Sequence, residues 1–159
     1  MPKRQTLTVD ASYDKETGTT GIGIVIQETD KPRRDGMVID RIAECYTGIP
    51  SGLNEMFAIY RALELGAERG FSVVKIRSDY NSMRTALKQS YERGKEEVQA
   101  GLQGSIIKLS RGYYSVHFGY KPRRKNQMAH NLARKAIREQ AVTPRADLGY
   151  ILTGTPKGE

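Results

Sequence analysis

Three carboxylates stand apart from the chain's other acidic residues by position. Asp10 follows the alternating run Thr6-Leu7-Thr8-Val9, Glu55 falls in the first turn of an amphipathic segment, and Asp79 closes the β-branched run Val73–Ser78. Carboxylates brought close raise one another's pKa unless a cation compensates. A triad of them would therefore need a divalent metal, and hard oxygen ligands suit magnesium or manganese. Taken singly, each has a plainer role. Glu55 would complement a helix N-terminus, worth about 0.3–1 kcal/mol, and Asp79 would cap the helix that follows it. Asp10 is harder to dismiss, because Asp is depleted in strands and this one ends its alternating run on the face opposite Leu7 and Val9. Together the three favour a metal centre.

For such a centre to form, the elements must bring positions 10, 55 and 79 to one place. Residues 6–10 alternate with period two, and Ile22, Ile24 and Ile26 share a face, so both segments read as strands. Residues 37–46 read as a third strand, entered through Arg34-Asp-Gly36, and the short connections favour an antiparallel meander. Met56, Ile59, Tyr60, Leu63 and Ala67 recur at threes and fours, predicting a helix over 54–69 that Gly70 ends. Val73–Ser78 is then a fourth strand reached through a helix, which suggests a parallel crossover.

Helices over 81–89 and 95–110 follow, the second with Val98, Leu102, Ile106 and Leu109 on one face. A fifth strand covers Ser115–Tyr120. A last helix covers Gln127–Glu139, with Met128, Leu132, Ala136 and Ile137 inward. The pattern βββαβααβα is an α/β chain with a mixed sheet and helices packed on it. A first and fourth strand that are parallel and adjacent would set Asp10 beside Asp79, with the crossover helix presenting Glu55 above them. Ligands collect at the carboxyl ends of strands where strand order reverses. Residues 1–142 are expected to form the domain, and 143–159, with Pro144, Gly149, Gly154, Pro156 and Gly158, an irregular C-terminal tail.

Composition narrows the chemistry. A chain of 159 residues fits one domain of roughly 100–200 residues. No apolar run approaches the roughly 18 residues that cross a bilayer, and no apolar stretch follows Met-Pro-Lys-Arg, so a cytoplasmic location without a membrane partner is expected. The single cysteine, Cys45, and two histidines exclude an internal disulfide and a Cys/His zinc cluster. The net charge of +8 favours a polyanionic partner, although solubility alone would account for the bare number. Its placement decides: Lys121, Arg123, Arg124, Lys125, Arg134, Lys135 and Arg138 lie in a stretch with no acidic residue, as phosphate contacts require. Nothing signals an oligomer, so a monomer is expected.

The motifs, taken in order, carry a family resemblance. Asp10-Ala-Ser12 after a strand, the turn into Gly21-Ile-Gly-Ile, Asn54-Glu55-Met-Phe-Ala58, Ile76-Arg-Ser-Asp79 and Pro122-Arg-Arg-Lys-Asn126-Gln-Met-Ala129-His130 together resemble the type 1 ribonuclease H family, from about residue 5 to 140. The resemblance implies a ribonuclease H-like fold: a five-stranded mixed sheet, three strands antiparallel and two parallel, with helices on both faces. It implies an endonuclease that cuts the RNA strand of RNA/DNA hybrids with two divalent ions, Mg²⁺ or Mn²⁺, held by Asp10, Glu55 and Asp79. Such a metal pair activates water and stabilises the leaving oxygen. Ser12, Asn54 and Asn81 match positions that touch the hybrid's minor groove, where a 2′-hydroxyl distinguishes RNA from DNA.

The chain departs from the family where it has Ala129-His130, because the family usually has Ala-Asp there. His130 is expected at the site as a catalytic and metal-binding residue, with one negative charge fewer. Weaker capture of a second ion and a preference for Mn²⁺ follow, since neutral imidazole suits manganese better than magnesium. Outside its motif, His130 would read as a helix-surface histidine. The connection over 87–98 mixes charge signs and lacks Trp, so the basic protrusion of some members is expected to be absent. Grip on the phosphates then falls to Lys121, Arg123, Arg124 and Lys125. Two other readings stay open. One is a weakly active or inactive nucleic-acid-binding member of the fold; the other is an unrelated basic RNA-binding module stacking bases on Tyr113, Tyr114, Phe118 and Tyr120.

Overall fold

Three long strands, β1 (Arg4–Asp14), β2 (Thr19–Thr29) and β3 (Met37–Thr47), fold back on one another as an antiparallel meander in the computed structural model, which describes residues 3–31, 33–92 and 101–154. Helix α1 (Asn54–Glu68) crosses to β4 (Val73–Ser78), which pairs parallel with β1, and β5 (Ser115–Tyr120) pairs parallel with β4. The sheet order is β3-β2-β1-β4-β5. Helices α2 (Asn81–Glu92) and α3 (Gly101–Ser110) connect β4 to β5, and α4 (Gln127–Glu139) and α5 (Leu148–Thr153) close the chain. The expected start of the third helix and the second half of the 87–98 connection lie outside the described residues.

Alternation splits the sheet into two faces. Leu7 and Val9, Ile22, Ile24 and Ile26, Val74 and Ile76, and Val116 and Phe118 are all buried in one core, packed by Phe57, Leu63, Leu87 and Ile106 from α1, α2 and α3. On the opposite face α4 lies across β2, β1 and β3. Its inward stripe is Ala129, Ala133 and Ala136, while Met128, expected inward, is 43% exposed. The reason lies beneath the helix. A Cβ on Gly21 would stand 2.2 Å from the Ala133 carbonyl oxygen, and one on Gly23 would stand 2.0 Å from that of Ala129. The helix backbone rests directly on these glycines, so small side chains must face the sheet and the large Met turns out.

Two further expectations change. Strand β1 does not stop at Asp10: Ala11–Asp14 stay paired with β2, opposite 19–22, because the partner strand continues even where the apolar alternation fades. The tail is also not irregular throughout. Leu148, Ile151 and Leu152, spaced by threes and ones, form α5, which packs on α3 with Ile151 buried in the core and Ser105 Oγ donating to the Ile151 carbonyl at 2.6 Å. Pro144 and Gly154 around it and Gly149 within it concealed that short helix. Arg145 ties the segment back to α1 through Glu64.

Close packing of α4 gives a stability test. Gly23→Ala is expected to cost about 1–3 kcal/mol through overpacking, a fall in Tm of about 2–4 °C per kcal/mol for a chain of this size. Gly52→Ala, where an added Cβ meets nothing within 4 Å, should leave the thermal melt unchanged.

Candidate active site

The site forms where β1 outruns its parallel neighbour. Pairing between β1 and β4 ends at Thr8 and Arg77, yet β1 continues against β2 with Asp10 opposite Gly23. Asp10 therefore faces the space above the carboxyl end of β4, where Asp79 follows Ser78. From the other side, the first turn of α1 brings in Glu55, whose Oε1 accepts the Ala11 N–H at 3.2 Å. Asn54 sets that turn: its Oδ1 accepts from Thr20 Oγ1 at 2.7 Å, and its Nδ2 donates to the Ser51 carbonyl at 3.0 Å.

Ligand oxygens of Asp10, Glu55 and Asp79 all lie within 4.8 Å of one another; among the described residues no other three potential ligands converge in this way. Asp10 is 4% exposed. Glu55 Oε2 is buried without a hydrogen-bond partner. An all-oxygen donor set with an unpartnered buried carboxylate oxygen fits a divalent cation.

Helix α4 supplies the opposite wall. The Asn126 amide donates to the Val9 carbonyl at 3.0 Å, pinning the start of α4 beside Asp10. One turn on, His130 Nδ1 lies 2.8 Å from Asp10 Oδ2. The imidazole thus engages one of the three carboxylates and is not itself among the converging ligand atoms. Steps of four along α4 put His130, Arg134 and Arg138 on one face, and all three line a cleft of about 900 Å³ that contains Asp10, Glu55 and Asp79.

Of the residues expected to contact substrate, Ser12 and Arg123 line this cleft. Asn54 borders a neighbouring groove with its side chain already engaged. Asn81 is exposed at the start of α2, its Oδ1 accepting from Arg84 at 2.7 Å. Arg124 and Lys125 are exposed on a 3₁₀ turn. Lys121 lies apart from the cleft: its N–H donates to the Ser78 carbonyl, and its ammonium group is under the influence of Arg77 and Asp35. The exposed rings of Tyr13, Tyr80 and Tyr120 also line the cleft. Tyr13 and Tyr80 were missed, although Tyr80 adjoins Asp79 in the chain. Arg134 and Arg138 had been counted only as charge, although their four-residue spacing from His130 was there to read.

A family model described as reverse transcriptase-like matches residues 8–136. The chain belongs to the reverse transcriptase-like family. No curated protein matches it by sequence. Its fold is that of ribonuclease H. The ribonuclease H1 of the halophilic archaeon Halobacterium salinarum is similar at a TM-score of 0.65 and 18% identity, over 86% of this chain and 98% of that one. The LC11 ribonuclease H1, isolated from compost by a metagenomic approach and solved in complex with an RNA/DNA hybrid, is similar at 0.62 and 21%, over 86% and 98%. The N-terminal ribonuclease H domain of a Mycobacterium tuberculosis protein, solved as a maltose-binding-protein fusion, is similar at 0.62 and 14%, over 88% and 100%. The ribonuclease H assignment read from the motifs therefore holds for family and fold. An unrelated RNA-binding module is excluded, and two of its four proposed stacking rings, Tyr113 and Phe118, are buried in the core.

Within this ribonuclease H fold the three carboxylates strain against one another. Burial, then the charge of Asp10, pushes Glu55 up to about 9 from an ordinary 4.5. Burial and Asp10 also raise Asp79, with Arg123 and His130 pulling the other way.

Glu55 with its raised pKa keeps a proton in the folded state that the unfolded chain releases above pH 4.5. The stability this contributes is complete below that pH and is lost as pH rises towards 9. Metal-free protein should therefore melt at progressively lower temperature between pH 5 and pH 9. Glu55→Gln should flatten the slope and raise the metal-free Tm at the alkaline end, as differential scanning calorimetry in EDTA would record.

Proposed function

We propose that this chain is a metal-dependent endonuclease that hydrolyses the RNA strand of RNA/DNA hybrids. The observation that carries the reading is the convergence of Asp10, Glu55 and Asp79 in a cleft whose other wall is the cationic row of Arg123, Arg134 and Arg138. It is supported by the shared fold of the LC11 enzyme, which was solved with a hybrid.

Two divalent ions, Mg²⁺ or Mn²⁺, would be held by Asp10, Glu55 and Asp79 and would supply Lewis-acid activation of water and charge neutralisation at the leaving 3′ oxygen. The remaining work falls to the chain's own groups. Arg123, Arg134 and Arg138 hold the phosphates flanking the scissile bond, with Arg124, Lys125 and, further out, Lys121 extending the grip. Ser12 and Asn81 read sugar hydroxyls in the minor groove, and Asn54 contributes by orienting the turn that carries Glu55. Tyr80 offers a ring face to a sugar or base.

His130 belongs to the same site. Its Nδ1 competes for Asp10 Oδ2 and leaves the site one negative charge short of a four-carboxylate centre. Manganese accepts an imidazole ligand more readily than magnesium does, so a His130 that turned from Asp10 to the ion would favour Mn²⁺.

The test is cleavage of labelled RNA/DNA hybrid, double-stranded RNA and duplex DNA with Mg²⁺, Mn²⁺ or EDTA. Hybrid-only, metal-dependent cutting is expected, stronger with Mn²⁺ and abolished in Asp10→Asn. His130→Asp should recover Mg²⁺-supported activity by about tenfold, the order that a change beside a metal ligand commonly brings. Binding without cutting under every metal would support the non-catalytic reading, and an unchanged metal preference in His130→Asp would remove the histidine from the metal's influence.

A further inference from the structure

The sheet face that carries Asp10 extends beyond the cover of α4. Arg77 donates to Thr8 Oγ1 from Nε at 3.2 Å and from Nη2 at 3.1 Å. By alternation, Thr8 shares its face with Asp10, so Arg77 and Lys75 lie on that face of β4. Register places His117 beside Lys75 and Gly119 beside Arg77 on β5. Two rows thus run from the catalytic cleft towards the amino ends of the strands, Asp79, Arg77, Lys75 on one side and Lys121, Gly119, His117 on the other; Arg77 and Gly119 are buried within them, and Lys75 and His117 reach the surface. From Asp79 back to Val73 the track is about 20 Å long, at about 3.3 Å per residue. Gly119 lets it lie flat. A Cβ there would stand 3.1 Å from both the Arg77 and Lys75 side chains, which cross above it.

At its far end the track opens into a groove of about 480 Å³ between Arg4 and Thr6 of β1, Lys75, His117 and the segment bearing Arg33 and Arg34. Asp35 is the one acid among the groove's described lining residues, and it is engaged by Arg77 at 3.0 Å. The positive charge here is short of counter-charge. Burial, then the charge of Arg77, pushes the Lys121 ammonium down. Burial, then Lys75, Lys88 and Arg84, pushes His117 down as well. A groove of about 480 Å³ can take a phosphate backbone but not a whole duplex, and its described lining residues include no Tyr, Phe or Trp on which bases could stack.

We propose that the groove at the amino ends of β4 and β5, where Lys75, His117, Arg33 and Arg34 reach the surface, is a second nucleic-acid contact, which holds the phosphate backbone of a single-stranded extension leaving the hybrid, without regard to base sequence. It rests on the reading of the chain as a hybrid nuclease and adds to it a preference for hybrids joined to single strand.

The test compares a blunt hybrid with the same hybrid carrying an overhang of about ten nucleotides, within the range of known single-strand sites, at the 5′ or the 3′ end. Binding to the full chain is read by fluorescence anisotropy in EDTA, across a salt series. An overhang at one end at least should tighten wild-type binding on the order of tenfold at low salt. In Arg33→Ala/Arg34→Ala/Lys75→Ala that gain should vanish, and the salt slope should fall by about 2, as expected for three lost contacts to single strand, with blunt-hybrid affinity unchanged. Acetylation of Lys75 in the wild type, read by mass spectrometry, should be suppressed by the overhang substrate and not by the blunt one.

An overhang that adds nothing to wild-type binding, a gain that survives in the triple variant, or protection of Lys75 by polyglutamate in preference to single strand would each overturn the proposal. Because binding is read without metal, failure to cut hybrid in the activity assay would sink the nuclease reading and leave this result standing on its own.

Discussion

Repulsion among Asp10, Glu55 and Asp79 is the constraint around which the rest of the structure is arranged. Their oxygens meet within 4.8 Å in a place where Asp10 is almost fully buried, and without a cation the cluster answers by holding a proton on Glu55. Such an arrangement persists only if each carboxylate is carried by an element that cannot relax away. The parallel β1–β4 ladder holds Asp10 and Asp79, the Thr20–Asn54 hydrogen bond fixes the turn bearing Glu55, and the Asn126–Val9 bond sets α4 so that His130 meets Asp10.

Support for those carriers comes from both faces of the sheet. On one, the approach of α4 to Gly21 and Gly23 brings the His130, Arg134 and Arg138 face over the cleft. On the other, α1 is braced from behind. Arg61 bridges Glu44 and Glu64, and Arg145 from the C-terminal segment joins Glu64 while its guanidinium sits 5.7 Å from the Tyr60 ring centre. The C-terminal segment, through Arg145 and α5, therefore helps hold the helix whose first turn supplies Glu55.

Much of this was legible in the residues because it depends on period. The alternation at Leu7 and Val9, the threes and fours from Met56 to Ala67 and the β-branched run Val73–Ser78 each follow from burying one face, and chain connectivity then sets Asp10, Glu55 and Asp79 together. The triad was thus found from sequence. Contacts set by packing were not. That Met128 turns out, that β1 continues past Asp10 and that a helix forms at Leu148–Thr153 depend on what lies opposite: two glycines, a long partner strand and the flank of α3. Lys121 shows the same limit. Two residues before the cleft's Arg123, it extends β5 beside Ser78 of β4 with its ammonium near Arg77, and Pro122 and the 3₁₀ turn come between the two.

The dependence of the site on a cation is tested most directly by the protons that metal displaces. Mn²⁺ titrated calorimetrically into the wild type at pH 7, in buffers of different ionisation enthalpy, should release about one proton per site as Glu55 gives way to metal, and Glu55→Gln should release none. Metal binding with no proton release by the wild type, or no binding at all, would contradict the claim that these three carboxylates are held together for a divalent ion.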